Sequence, residues 1–204
     1  VLAGTLGGSG TLVCNERSAA RRARLHRVLD EHLPAGVRER ITVTGHDAAR
    51  WALYEPAAYD RVLADVPCSS EQHVLQSAGA LAQWSPSRTK RLAAGAYAIG
   101  CAAVDAVRPG GTVVYSTCAL SPLENDAVVG RLLERGNGSL RTIDPREALG
   151  GGARGGGGAH AGPGRDRADE PAPVPGTATD HGWIILPDAD GGLGPIYFAV
   201  LARE

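Results

Sequence analysis

Apolar residues recur along the chain in short runs that end in polar or acidic residues, and between the runs lie stretches with helical spacing. Thr11 to Cys14 is such a run, stopped by Asn15-Glu16, and Ser18 to Leu33 then carries Ala23, Leu25, Val28 and Leu29 at helical spacing with arginines opposite. Ile41-Thr-Val-Thr44 is β-branched and stops at Gly45-His46-Asp47, while Arg61-Val-Leu-Ala64 stops at Asp65-Val66-Pro67-Cys68. A long helical pattern from Arg88 to Val107 closes at Pro109-Gly110-Gly111, and Thr112-Val-Val-Tyr115 runs into Ser116-Thr117-Cys118. Strands alternating with helices predict an α/β fold with a doubly wound, mostly parallel sheet. Trp183-Ile-Ile-Leu186 and Ile196 to Leu201 predict a closing antiparallel strand pair.

Composition changes this picture in one place. From about Gly150 to Thr179 the sequence collapses to Gly, Pro, Ala, Arg and Asp, which offer too little apolar surface to offset the entropy of ordering. Residues 1–149 and 180–204 are therefore expected to form one domain, interrupted at 150–179 by a disordered insertion. Lys and Arg number 21 against 22 Asp and Glu, so net charge neither supports nor excludes a nucleic-acid partner. The four cysteines, Cys14, Cys68, Cys101 and Cys118, are too sparse in 204 residues for a disulfide framework and suggest a reducing compartment. No apolar run approaches the roughly 18 residues of a membrane span, so no membrane partner is expected. The chain has no methionine and opens at Val1 in apolar sequence, which reads as a fragment lacking its true start.

In open α/β sheets ligands bind beyond the carboxyl ends of the strands, so the polar residues there are the candidates: Glu16, Asp47, Asp65, Cys68 and Cys118. An acidic residue ending a strand of a nucleotide-binding half can accept two ribose hydroxyls, which suits Glu16, although a glutamate there is also an ordinary turn residue. A right-handed crossover would bring the strands before Cys68 and Cys118 into one sheet with both thiols at one crevice. Partly exposed beside polar groups, such a thiol can ionise and attack; alone, each reads as a small apolar filler. Cys14 within a strand and Cys101 within a helix carry only that packing role. No metal site is expected.

The stretches Arg61-Val-Leu-Ala-Asp65-Val-Pro67-Cys68-Ser69-Ser70 and Pro109-Gly-Gly-Thr-Val-Val-Tyr-Ser-Thr117-Cys118-Ala-Leu-Ser-Pro122-Leu-Glu124-Asn125 resemble the signature pair of the Nop/Sun family of RNA cytosine methyltransferases. The resemblance covers roughly residues 1–149 and 181–204. Cys68-Ser-Ser-Glu-Gln-His73, Gly45-His46-Asp47 with Trp51, and Gly194-Pro-Ile-Tyr-Phe198 look closest to its mitochondrial ribosomal-RNA branch, since a bacterial relative would usually carry a glycine soon after the Pro-Cys. The resemblance implies a class I fold dependent on S-adenosylmethionine and methyl transfer to carbon 5 of cytosine through a covalent cysteine adduct. It implies Cys118 as nucleophile, Cys68 as the thiol of product release, Asp65 at the base and methyl donor, Asp47 at the adenine, Glu16 at the ribose and Arg21 as a further cofactor contact. Ribosomal RNA is the implied partner, with transfer RNA and a protein of the mitochondrial transcription-termination type as further ones, and the implied location is mitochondrial.

One departure stands beside the match: the family's first strand and glycine-rich loop are expected before Val1, with Val1 to Leu6 ending the helix after that loop. That favours an alternative, a catalytically silent scaffold that keeps the fold and docks RNA or a partner, against which stand two complete cysteine motifs. A thiol oxidoreductase is a weaker alternative, because that chemistry prefers two cysteines within one motif.

Overall fold

The computed structural model describes residues 2–6, 9–82, 84–145, 175–189 and 191–204. After a 3-10 turn at Leu2–Thr5, where the end of a helix was expected, come β1 (Leu12–Asn15), α1 (Ala19–His32), a short α2 (Ala35–Arg38) and β2 (Ile41–Thr44). Ser18 caps α1 by accepting the Arg21 N–H, the role expected of serine before a helix. A 3-10 helix, Ala48–Leu53, capped by Asp47, leads into β3 (Tyr59–Asp65), α3 (Glu71–Gln76) and α4 (Ala78–Ala82). The chain continues through α5 (Pro86–Ala106), β4 (Val107–Thr117), α6 (Asp126–Gly136) and β5 (Leu140–Ile143). It closes with β6 (Thr177–Ala178), β7 (Trp183–Ile185) and β8 (Ile196–Arg203).

The parallel pairs are β1 with β2 and β3 with β4. Strand β8 enters antiparallel beside β4 and pairs on its far side with β5 and β7, the latter as the antiparallel pair expected from the sequence. Among the described residues the strands form two sheets, β1-β2 and a six-stranded one, so Glu16 and Asp47 end strands of a different sheet from Asp65.

Alternation builds the core. Val113 and Tyr115 of β4 and Tyr197, Ala199 and Leu201 of β8 are buried against Ala96, Ala103 and Val104 of α5 and Val128, Val129 and Leu132 of α6. Each large apolar side chain buried this way contributes about 1.5–3 kcal/mol. The small residues of α5 let α6 lie close, and a Cβ at Gly100 would come within 2.8 Å of Leu132. Arg135 of α6 grips Asp105 of α5 through both guanidinium nitrogens at 2.8–3.0 Å.

The expected insertion at 150–179 lies, up to residue 174, outside the described residues. Its last residues carry structure, contrary to the expected boundary: β6 pairs with β7, and Trp183 donates its indole N–H to Pro175 O. Asp126 at the start of α6 accepts from Thr179 Oγ1, His181 N and Tyr197 OH, at 2.8–3.0 Å. A strand partner and the half-buried carboxylate of Asp126 supply the ordering that composition alone does not reveal.

Candidate active site

Strands β3 and β4 run parallel with Asp65 opposite Ser116, so the chain leaves both at one edge of the sheet. There Cys68 and Cys118, 50 residues apart in sequence, bring their sulfurs to 2.7 Å, closer than sulfurs ordinarily approach without a bond. Both are free thiols, Cys68 half-buried and Cys118 exposed. Asp65, also exposed, receives the Ser116 hydroxyl at 3.5 Å. The structure thus brings together the two cysteines and the aspartate singled out in the sequence.

Buried polar groups hold the two loops. Glu124, fully buried, accepts the Ser69 N–H at 2.9 Å and meets the Ser69 hydroxyl with its other oxygen. Glu71 also takes the Ser69 hydroxyl and reaches the Cys118 loop through the Leu120 N–H at 3.0 Å. Behind Cys118, Thr117 donates to Asn125 Oδ1 at 2.6 Å, and Asn125 donates to Ala119 O at 2.9 Å. Ser70 Oγ stands 3.1 Å from Cys118 and 3.6 Å from Cys68. Ser70, Glu71, Glu124 and Asn125 lie within the stretches that carry the family resemblance, where no role was assigned to them. Glu124 and Asn125 stand in one stretch with Thr117-Cys118, but nothing local signals that Glu124 reaches across to the Pro-Cys loop.

Burial, reinforced by the hydrogen bond to Cys118, pushes the Cys68 thiol up to about 11, so Cys68 holds its proton at neutral pH. Burial also raises the Glu124 carboxyl above its ordinary range, with neighbouring Glu71 adding to the effect and Ser69 opposing it. Cys14 is raised as well, by burial in β1, in keeping with its packing role.

The remaining candidates lie at the ends of β1 and β2, which are neighbouring parallel strands. Glu16 accepts the Ser18 N–H at 2.7 Å, and its other oxygen faces Arg21 Nε at 3.1 Å. Arg21 is therefore seated as the ion-pair partner of Glu16. Asp47 caps the following 3-10 helix through the Ala49 N–H, and His46 meets Trp51 edge-on and stacks on Tyr54.

A sequence-family model described as 16S rRNA methyltransferase RsmB/F matches residues 1–169, most of the chain. The chain belongs to this family. Among curated members, ribosomal RNA small subunit methyltransferase F of Erwinia tasmaniensis is 39% identical over 148 residues, 72% of this chain and 30% of that protein. The 5-cytosine rRNA methyltransferase NSUN4 of Xenopus laevis is 38% identical over 127 residues, 60% of this chain and 31% of that protein. Similarity thus divides evenly between a bacterial member and NSUN4, and the chain spans under a third of either. Two solved structures share the fold of this RsmB/F chain. NSun6 from Pyrococcus horikoshii with SFG superposes with a TM-score of 0.68 at 20% identity, covering 99% of this chain and 44% of that one. A methyltransferase homolog protein from Pyrococcus horikoshii gives 0.62 at 15% identity, covering 96% of this chain and 54% of that one. These place the RsmB/F chain in the α/β class expected from its strand and helix pattern.

Proposed function

We propose that this chain carries the two-thiol centre of an S-adenosylmethionine-dependent RNA cytosine-5 methyltransferase, acting on ribosomal RNA and, as the resemblance implies, in mitochondria. The observation that carries the reading is the 2.7 Å approach of Cys68 and Cys118 at the strand end that also presents Asp65. Carbon 5 of cytosine is a poor nucleophile, and adding a thiolate at carbon 6 turns it into one by placing electron density there. Cys118, exposed at the crevice, is the thiol a base can reach. Cys68, which keeps its proton at neutral pH, can donate toward Cys118 while that sulfur is anionic. After transfer the carbon 5 proton must leave before Cys118 is released; the Cys68 sulfur, beside that of Cys118, takes it as a thiolate, having first given its own proton to solvent. Asp65, exposed at the same edge, is available to the polar edge of the base.

The donor set at β1 and β2 fits the cofactor in chemistry. Two carboxylates end adjacent parallel strands, one suited to ribose hydroxyls and the other to an amino group, with an aromatic cluster beside the second. Glu16 would hold the ribose, oriented by Ser18 and Arg21, and Asp47 the adenine side. When bound, the cofactor supplies an electrophilic methyl group on a sulfonium.

The test is methyl transfer from labelled S-adenosylmethionine to small-subunit ribosomal RNA, with the product located by mass spectrometry of nucleosides. Labelled 5-methylcytidine is expected with the unaltered protein and not with Cys118→Ala. RNA binding without any labelled 5-methylcytidine would replace this reading with that of a silent scaffold.

A further inference from the structure

Ser70 stands at the N-cap of α3, where a serine ordinarily turns its hydroxyl back to accept a backbone N–H of the first turn. Here it makes no such bond, although its carbonyl accepts the Val74 N–H and starts the helix. Its backbone lies in the left-handed region, at φ 52° and ψ 56°, where a residue with a Cβ is strained. The neighbouring Ser69, clamped by Glu124 and Glu71, fixes the chain on one side, and α3 fixes it on the other. Strain and a forgone cap share one outcome: the Ser70 hydroxyl sits 3.1 Å from the Cys118 sulfur.

We propose that Ser70 is a third catalytic residue of the two-thiol centre, donating its hydroxyl hydrogen to the Cys118 thiolate and holding that sulfur in its attacking form. The proposal rests on the reading of Cys118 as the nucleophile. A hydroxyl has one hydrogen, and of the two sulfurs in reach Cys118 is the nearer, by 3.1 Å against 3.6 Å. With Cys68 as the other donor, two hydrogens converge on one sulfur and favour its anion. The titratable groups around Cys118 are Cys68 and Asp65 from the end of β3 and Glu71 from α3, which takes the Leu120 N–H; Glu124 and Arg88 lie behind, next to Ser69.

The experiment is alkylation of the unmodified chain by iodoacetamide across a pH series, with each modified cysteine assigned by peptide mass spectrometry and thermal unfolding followed in parallel. Ser70→Ala and Ser70→Gly should each slow Cys118 alkylation at neutral pH about tenfold and move its midpoint up by about one pH unit, the effect of losing one hydrogen bond to a charged group. Ser70→Gly should at the same time keep or raise the unfolding temperature, by about 3 °C, because glycine relaxes in the left-handed region. Reactivity and stability then move in opposite directions, which a merely structural serine would not produce. Unchanged Cys118 rates and midpoints in both variants would overturn the role of Ser70 while leaving the nucleophile in place. Cys118 reacting no faster than Cys14 and Cys101 in the unaltered chain would instead overturn the nucleophile assignment, and the role of Ser70 with it.

Discussion

The carboxyl group of Glu124 holds Ser69, 55 residues earlier in the chain, by its backbone N–H and its hydroxyl, at a position with no solvent exposure. This bond locks the Pro-Cys loop to the Thr-Cys loop, and so sets the distance between the two thiols. Burial raises the Glu124 carboxyl, so folding favours its protonated form. Its contribution to stability is then fully present below the ordinary carboxylate range and is lost as pH rises through the raised value. Glu124→Gln keeps the shape and hydrogen-bonding capacity without the charge. It should cost less than about 1 kcal/mol and flatten that part of the pH dependence, whereas Glu124→Ala leaves the Ser69 N–H buried without a partner and should cost about 2–4 kcal/mol. Urea unfolding at several pH values measures both; equal losses for the two variants would contradict the clamp.

Asn125 makes a second, independent brace. It accepts from Thr117 and donates to Ala119, the residues on either side of Cys118, and is itself buried. Asn125→Asp retains the acceptor for Thr117 but turns a carboxylate oxygen toward the Ala119 carbonyl, so it should destabilise at least as much as Asn125→Ala, by about 2 kcal/mol or more at neutral pH. Thermal or urea unfolding decides; a neutral Asn125→Asp would mean the side chain is oriented otherwise.

The strands before Asp65 and Cys118 were legible because apolar runs stopped by polar residues are a local signal, and the meeting of the two thiols followed from the handedness of the crossover between parallel strands. The braces were not legible in the same way. Glu71, Glu124 and Asn125 are polar residues in loops or at helix starts, and nothing in their spacing says that Glu71 is bound across 49 residues and Glu124 across 55. Nor did periodicity give α3 and α4, at 6 and 5 residues too short to repeat a pattern. The insertion of β8 between β4 and β5 belongs to the same class, since alternation predicts that a strand exists but not which edge it joins. Arg21 was read from the family toward the cofactor, and its neighbour proves to be Glu16.

The raised thiol of Cys68 has its own signature. Its value moves from 9.0 to about 11, so the neutral thiol is the form the fold prefers, a preference intact below pH 9 and lost as pH rises through about 11. In an alkylation series on the unaltered chain, Cys118 should be modified first and Cys68 should follow only as pH approaches the upper value. Cys118→Ala removes the sulfur that contributes to the shift, and Cys68 should then titrate at a lower pH, although burial still holds it above 9.0. Modification of Cys68 ahead of Cys118 near neutral pH would exchange the roles of the two thiols.

That exchange can be tested directly in the methyl-transfer reaction. If Cys118 adds to carbon 6, Cys118→Ala removes the route to an activated carbon 5, so methylation should fall by several orders of magnitude and no protein should become joined to RNA. If Cys68 takes the carbon 5 proton, Cys68→Ala should still attack and accept the methyl group but fail to release, because elimination of the Cys118 sulfur requires that proton to leave. Protein covalently joined to RNA should accumulate, up to one RNA per protein. The two variants thus fail on opposite sides of the adduct, though their sulfurs lie 2.7 Å apart. A denaturing gel after incubation with RNA and methyl donor separates the outcomes by the presence of a slow-migrating band. An adduct with Cys118→Ala and none with Cys68→Ala would reverse the assignment, and normal turnover by both would remove cysteine chemistry from the reaction.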